Sequence, residues 1–151
     1  MSVDVVTLGE ALLRLSLPPG TRFPELGQLE ASIGGAESNV AVALAQMGCS
    51  VAWVSAVPDN DLGHLVLAQL GSLGVDTQFV GVLPGTRLGI YFIEPGSAPR
   101  PTQVIYDRKE AAVTRMASSD VPWAVVDSAK AVHITGITPA LSDSLRELSI
   151  E

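Results

Sequence analysis

Two adjacent glycines followed by a polar turn point most directly to chemistry in this sequence. Gly34 and Gly35 precede a segment from Ala36 to Met47 that is almost all small or apolar, with its polar residues crowded into the first turn. A helix N-terminus there would offer unpaired N–H groups and the positive end of the helix dipole. Asn39 adds an amide that donates and accepts together, which suits the hydroxyls of a polyhydroxylated ligand. A core helix with a polar entry turn explains the same residues equally well, since Gly-Gly is a weak signal.

The helix that would carry this turn is predicted to be buried nearly all round, because its composition is apolar on every face. Gly48, just past its end, suits a left-handed residue that closes a helix. Three alanines inside the segment would let neighbouring backbone approach closely. We therefore expect the helix to lie on a sheet.

Two kinds of strand are predicted around this helix. Apolar strands at residues 3–8, 51–57 and 131–135, with a further strand at 77–83, alternate with helices at 36–47, 62–73, 121–128 and from about residue 140. This order is typical of a parallel α/β sheet with helices on both faces. Half-exposed strands arrive in two insertions, near residues 11–33 and 87–110. We expect them to form a small sheet of their own, as a lid over a cleft, as a dimer interface, or as both.

Length, charge and cysteine content limit the function classes. A chain of 151 residues with 47% hydrophobic and 17% charged content predicts one globular domain. The formal charge of -7 argues against nucleic acid or anionic membranes as main partners. The single cysteine, Cys49, permits no internal disulfide, and no apolar run is long enough to cross a membrane. A cytoplasmic protein is expected.

Several short motifs occur in the order found in the PfkB or ribokinase-like carbohydrate kinases, and this sequence resembles that family. The resemblance is closest to the branch of 2-keto-3-deoxygluconate kinases (2-dehydro-3-deoxygluconokinases) and covers essentially the whole chain. The matching segments are Gly9-Glu10, Gly34-Gly35-Ala36-Glu37-x-Asn39-x-Ala41 with Gly48, Arg87-Leu-Gly-Ile-Tyr91-Phe, Tyr106-Asp-Arg108-Lys and Gly136-Ile-Thr-Pro-Ala140-Leu. The resemblance implies that residues 1–151 are the N-terminal part of a ribokinase-like domain. It implies a Rossmann-like body with a β-sheet lid, and ATP-dependent phosphorylation of a sugar hydroxyl.

The same resemblance implies substrate contacts at seven positions. By resemblance, Gly34, Gly35 and Asn39 would contact the sugar hydroxyls, and Tyr91 would be the lid residue that covers the sugar. Tyr106 and Arg108 would contact the carboxylate of a keto-acid sugar, and Ile137 would lie in a turn beside the sugar.

The residue types and their spacing support one of these implied contacts independently of the resemblance. Tyr106 and Arg108 are two apart on a predicted strand, so their side chains project from one face, and an arginine fork is well fitted to a carboxylate. A packing tyrosine beside a solvated arginine is the alternative.

Two departures from the family pattern affect the expected function. Arg14 stands where ribokinase- and fructokinase-like members carry an aspartate that binds sugar hydroxyls, which favours an acid sugar over fructose, ribose or another neutral sugar. The chain also stops at Glu151, whereas members of the family are about twice as long. By resemblance, the remaining half holds the Gly-Ala-Gly-Asp anion hole, the general base, and the site for ATP and Mg2+. We therefore predict no catalytic residue and no ATP or Mg2+ site within these residues, and no turnover by this chain alone.

Other candidate sites are weaker. Asp59 and Asp61 are interpreted as turn and cap residues rather than metal ligands, and no metal site is predicted. His64 and His133 have no Ser, Cys or acidic residue at a spacing typical of a catalytic site, so both are interpreted as structural. Cys49 is expected to be a small buried residue. A non-catalytic sugar-binding or dimerisation module remains a rival hypothesis. A dinucleotide-binding domain is disfavoured, since no Gly-x-Gly-x-x-Gly follows the first strand.

Overall fold

The computed structural model describes residues 3–151, so Met1 and Ser2 of the predicted domain lie outside the described residues. Its strands are β1 Val5–Leu8, β2 Leu12–Ser16, β3 Glu30–Gly34, β4 Val51–Pro58, β5 Val80–Leu83, β6 Gly89–Glu94, β7 Gln103–Asp107 and β8 Ala131–His133. Its α-helices are α1 Ala36–Gln46, α2 Asp61–Ser72, α3 Trp123–Ser128 and α4 Asp143–Leu148. Short 3-10 turns occur at Phe23–Glu25, Ala112–Arg115, Ser118–Asp120 and Thr138–Ala140.

A four-stranded parallel sheet, here called the main sheet, forms the centre of the molecule in the order β5-β4-β1-β8. Strand β4 is buried along its whole length. Val51, Trp53 and Val57 pack in one core with Ala41 of α1 and Val66 and Leu70 of α2. Ala52, Val54 and Ala56 pack in a second core with the turn at Ala112–Arg115 and with α4. The predicted parallel α/β sheet with helices on both faces is confirmed.

The two insertions contribute four strands to one separate sheet, here called the small sheet, in the order β3-β2-β6-β7. β2 pairs antiparallel with β3 and parallel with β6, and β7 adds antiparallel to β6 at the edge. All five residues of β7 are exposed. The expected small sheet is confirmed, and its position brings the ends of β2, β6 and β7 close to the start of α1.

The helix α1 differs from its predicted burial. Glu37 and Ser38, its polar residues, are buried together with Ala41, whereas Ala43 is exposed and Met47 is 79% exposed. The prediction of a helix buried nearly all round is wrong, because only one face of α1 lies on the main sheet. Gly48 does adopt φ +88°, as expected for the residue that closes the helix.

Three further boundaries also differ from the sequence prediction. The apolar strand predicted at 131–135 is limited to Ala131–His133, and among residues 3–151 it lies at the edge of the main sheet, with Val132 51% exposed. The last helix begins at Asp143, since the residues from Thr138 to Ala140 form a 3-10 turn instead. The helix predicted at 121–128 begins at Trp123, and Asp120 before it accepts a hydrogen bond from the Ala117 amide at the preceding turn.

Candidate functional site

A cavity of about 220 Å³ lies where the end of β1, the N-terminus of α1 and the small sheet meet. Ligands of parallel α/β sheets typically bind beyond the carboxyl ends of the strands, and this cavity has that position. Six of the seven predicted site residues line it: Gly35, Asn39, Tyr91, Tyr106, Arg108 and Ile137. They come from segments separated by up to about a hundred residues in sequence, so the fold itself brings them together.

Gly34, the seventh predicted residue, does not line the cavity itself but lies against Tyr91, which does. A Cβ on Gly34 would lie 2.5 Å from the hydroxyl oxygen of Tyr91, so only glycine leaves room for that ring. The Tyr91 ring stacks on Tyr106, with centroids 5.7 Å apart and planes 25° apart. Burial raises the pKa of the Tyr91 hydroxyl. The positive charge of Arg14 lowers that pKa and the neighbouring Tyr106 raises it, both by smaller amounts. The two rings thus form an apolar wall with a neutral hydroxyl at the glycine end.

Arg108 is held by an acidic residue that sequence reasoning did not single out as a site residue. Its Nε donates to Oε2 of Glu10 at 2.8 Å, and its Nη2 donates to the same oxygen. The guanidinium carbon also lies 5.5 Å from the centroid of the Tyr106 ring. Arg108 is therefore an ordered cation at the cavity wall, rather than the solvated arginine of the alternative interpretation.

The carboxylate of Glu10 is unusually buried, with 4% of the residue exposed. Burial raises its pKa, Arg108 opposes that rise, Glu37 adds to it, and Arg87 opposes it more weakly. The turn that carries Glu10 is fixed by Trp53, whose fully buried indole donates to the Gly9 carbonyl at 3.2 Å. An acidic residue two positions after the end of a buried parallel strand is the sequence signal that could have identified it, because such a charge requires a partner.

Glu37 positions a second part of the cavity. Its Oε1 accepts hydrogen bonds from the Thr135 amide at 3.0 Å, the Thr135 hydroxyl at 2.6 Å and the Thr138 hydroxyl at 2.9 Å. These contacts fix the loop between β8 and the following 3-10 turn, and so place Ile137 at the cavity. Glu37 is 2% exposed and lies in the first turn of α1, where a negative charge is favourable.

The cavity is consequently asymmetric in charge. At the α1 end lie the exposed Asn39 amide and a helix N-terminus whose positive dipole is already offset by Glu37. At the β7 end lies the Arg108 guanidinium, paired on one edge with Glu10. Such an arrangement can accept a molecule with hydroxyls at one end and an anionic group at the other.

The remaining candidates from the sequence lie away from the cavity lining. Asp59 lies 3.4 Å from His64 on the surface, and Asn60 rather than either aspartate caps α2 through its side chain. Arg14 is exposed, and its Nε donates to the Ser16 hydroxyl at 3.0 Å. Within residues 3–151, no three His, Cys, Asp or Glu side chains lie close enough to hold a metal ion together.

The fold and the cavity define a class: a parallel α/β protein with a second sheet beside a polar site at the strand ends. The chain belongs to the pfkB family of carbohydrate kinases, whose sequence profile matches residues 3–151. A 2-dehydro-3-deoxygalactonokinase of Haloferax volcanii is 47% identical over the whole chain, which covers 47% of that protein. The structure of a 2-dehydro-3-deoxygluconokinase of Thermotoga maritima superposes with TM-score 0.91 at 39% identity, over 98% of this chain and 45% of that one.

A more distant fold neighbour was solved with nucleotide. A putative ribokinase II of E. coli in complex with ATP and Mg2+ superposes with TM-score 0.86 at 22% identity, over 98% of this chain and 47% of that one. This likeness concerns the fold alone. The chain spans about half the length of the curated relatives it matches. In the described residues no helix has the length and apolar character needed to cross a membrane.

Proposed function

We propose that this chain is the N-terminal, sugar-binding half of an ATP-dependent kinase that phosphorylates 2-keto-3-deoxygluconate or a related sugar acid. In the longer protein, ATP and Mg2+ would bind mainly to the other half, which would also supply the general base. We expect neither cofactor to bind well to the 151-residue chain and no catalytic residue within it. Phosphoryl transfer depends on positioning both substrates and on stabilising developing charge, and the proposed half-site serves only the sugar.

The observation that carries this proposal is the cation at one end of the cavity. Arg108 lines the cavity beside the stacked rings of Tyr91 and Tyr106, and Gly35 and Asn39 line it from the N-terminus of α1. A sugar acid fits this polarity when its carboxylate meets Arg108 and its hydroxyls meet Asn39 and the backbone beside Gly34 and Gly35. The reverse orientation would place a carboxylate near Glu37, which is unfavourable between like charges. Ile137 would contact the sugar from the third side.

A neutral sugar is the alternative substrate, and one observation favours it. Glu10 already neutralises Arg108, so the pair could border a site for fructose or ribose without any ligand charge. A sugar acid is preferred because the relatives described above are named as kinases of keto-deoxy sugar acids. A non-catalytic sugar-binding module is a further alternative, since the chain spans about half the length of those relatives.

Self-association through the small sheet is also proposed. The edge strand β7 exposes Val104 by 41% and Ile105 by 53%, and its backbone edge has no partner strand among residues 3–151. An exposed apolar edge strand favours pairing with another chain. The cytoplasm is the proposed compartment, which suits a protein whose one cysteine is unpaired.

The test is a sugar panel measured by isothermal titration on the 151-residue chain. We expect 2-keto-3-deoxygluconate to bind more tightly than fructose, and Arg108→Ala to abolish the difference. Equal affinity for both sugars in the unmodified chain would favour the neutral-sugar alternative. In a protein that joins this chain to the half its relatives carry, sugar-dependent ADP release tests the kinase activity, and its absence would favour the non-catalytic module.

A further inference from the structure

Glu10 has a geometry that suggests a role beyond balancing charge. A single oxygen, Oε2, receives both the Nε and the Nη2 of Arg108. The guanidinium has a second edge formed by Nη1 and Nη2, and Nη1 has no hydrogen-bond partner within residues 3–151. Arginine can bind two carboxylates at once, one on each edge, because its five donors lie in a rigid plane.

Building on the proposed function, we propose that Glu10 is a positioning residue: it binds the Nε edge of Arg108 and so presents the Nη1 edge to the carboxylate of the sugar acid. Glu10 itself need not touch the sugar. Its position depends on β1 and on the Trp53 indole, whereas Arg108 follows the exposed edge strand β7. The pair therefore fastens the residue after the exposed edge strand β7 to the turn that follows β1 of the main sheet.

Gly89 supports this interpretation independently of charge. A Cβ at Gly89 would lie 2.5 Å from Oε1 of Glu10, 3.1 Å from Cδ2 of Leu12 and 3.2 Å from Cβ of Arg108. The absence of a side chain at Gly89 thus provides the room that the Glu10–Arg108 ion pair occupies. Its backbone lies outside the left-handed region, so alanine is compatible with the strand and would act by crowding the pair and the neighbouring Leu12 side chain.

A neighbouring ion pair, between Arg87 and Asp107, fixes the residue just before Arg108. Arg87 donates to both carboxylate oxygens of Asp107, each at 2.7 Å, at the end of β7. This contact anchors the backbone from which Arg108 projects, and Glu10 then sets the direction of the guanidinium. Without Glu10, Arg108 would keep its place in the chain but lose the fixed orientation of its donors.

The experiment compares Glu10→Gln, Glu10→Ala and Gly89→Ala in the 151-residue chain. Glutamine keeps an oxygen that can accept from Nε, alanine removes it, and Gly89→Ala displaces the pair without changing charge. We expect Glu10→Ala and Gly89→Ala to weaken binding of 2-keto-3-deoxygluconate by about tenfold, and Glu10→Gln by no more than about threefold. Binding of fructose should change little in all three.

Glu94 provides the matched control. It is also a buried carboxylate of the small sheet, 6% exposed, accepting from the Phe23 amide at 2.9 Å and lying 3.9 Å from Arg22, but it is remote from the cavity lining. Glu94→Ala should lower the melting temperature without changing the preference for the acid over the neutral sugar. A general loss of fold would weaken binding of both sugars alike, whether the substitution is at Glu10 or at Glu94.

A second measurement reads the contact without any ligand. In nitrogen-15 NMR spectra, the Arg108 Nε–H signal, assigned by its disappearance in Arg108→Lys, should exchange slowly in the unmodified chain and in Glu10→Gln. It should exchange rapidly in Glu10→Ala. Tighter or unchanged sugar-acid binding in Glu10→Ala, or equal losses for both sugars, would overturn the positioning role. If the unmodified chain bound neither sugar while the Arg108 signal stayed protected, the proposed function would fail and Glu10 would have only a structural contact.

Discussion

Replacement of Arg108 by alanine separates recognition of a carboxylate from general binding of a sugar. The guanidinium lies at the cavity wall with its Nη1 edge unpaired among the described residues. A charge-assisted hydrogen bond contributes about 1.5–3 kcal/mol, so the loss corresponds to about 10- to 150-fold in affinity for 2-keto-3-deoxygluconate. Fructose has no carboxylate, and its affinity should change by less than about threefold.

The same substitution also affects folding stability, and this effect must be measured separately. Removing Arg108 leaves the Glu10 carboxylate buried without a cation, which costs about 3–5 kcal/mol for a fully buried pair. Arg108 retains 21% side-chain exposure, so a smaller loss of unfolding free energy is expected. The double variant Arg108→Ala with Glu10→Gln removes the unpaired charge and should recover part of that stability without recovering sugar-acid affinity.

The assay is isothermal titration of both sugars, supported by urea unfolding of each variant. In a longer protein that contains this chain, the same ratio should appear in kcat/KM. Asn39→Ala serves as the contrasting variant and should weaken both sugars, since both carry hydroxyls. If Arg108→Ala reduced fructose and the sugar acid equally, Arg108 would stabilise the small sheet rather than contact the carboxylate, and the specificity argument would be refuted.

Three further outcomes are expected. Glu37→Ala should lower the unfolding free energy by about 2–4 kcal/mol in urea titrations, because it leaves one buried and two partly buried donors unpaired. Glu147→Ala on the surface should change it by less than about 0.5 kcal/mol. Because burial raises the pKa of Glu10 above its ordinary value of 4.5 in the folded chain, its contribution to stability is present below that value and is lost as pH rises above it. Glu10→Gln should therefore gain stability relative to the unmodified chain as pH rises above 4.5, and a constant difference would contradict the raised pKa. Sedimentation should show dimers or larger species at micromolar concentration, and Ile105→Lys on β7 should reduce them; an unmodified chain that sediments only as a monomer would count against association through the small sheet.

Much of the fold could be predicted from the spacing of apolar residues. The continuous apolar run of β4 marked a central strand, and the polar–apolar alternation of β2 and β3 marked strands of another sheet. Burial at the edges could not be predicted in the same way. Val132 belongs to an apolar strand yet is half exposed among residues 3–151, where β8 pairs with β1 on one side only, and periodicity does not report which neighbours cover a strand.

The candidate site was predicted in part. Tyr106 and Arg108 were placed on one strand face by their two-residue spacing, and the structure brings both to the cavity. Glu10 and Glu37 were not assigned roles, because their partners lie about a hundred residues further along the chain. Sequence spacing reveals contacts within an element, whereas ion pairs between distant elements depend on the tertiary arrangement.

A structure of the 151-residue chain with 2-keto-3-deoxygluconate, from crystals soaked at high concentration, tests the proposed sugar-acid site most directly. We expect the carboxylate within about 3 Å of the Arg108 Nη1 edge and a sugar hydroxyl within about 3 Å of the Asn39 amide. The Glu10–Arg108 pair should remain formed. A sugar bound outside this cavity, or one with its carboxylate at the N-terminus of α1, would contradict the assignment.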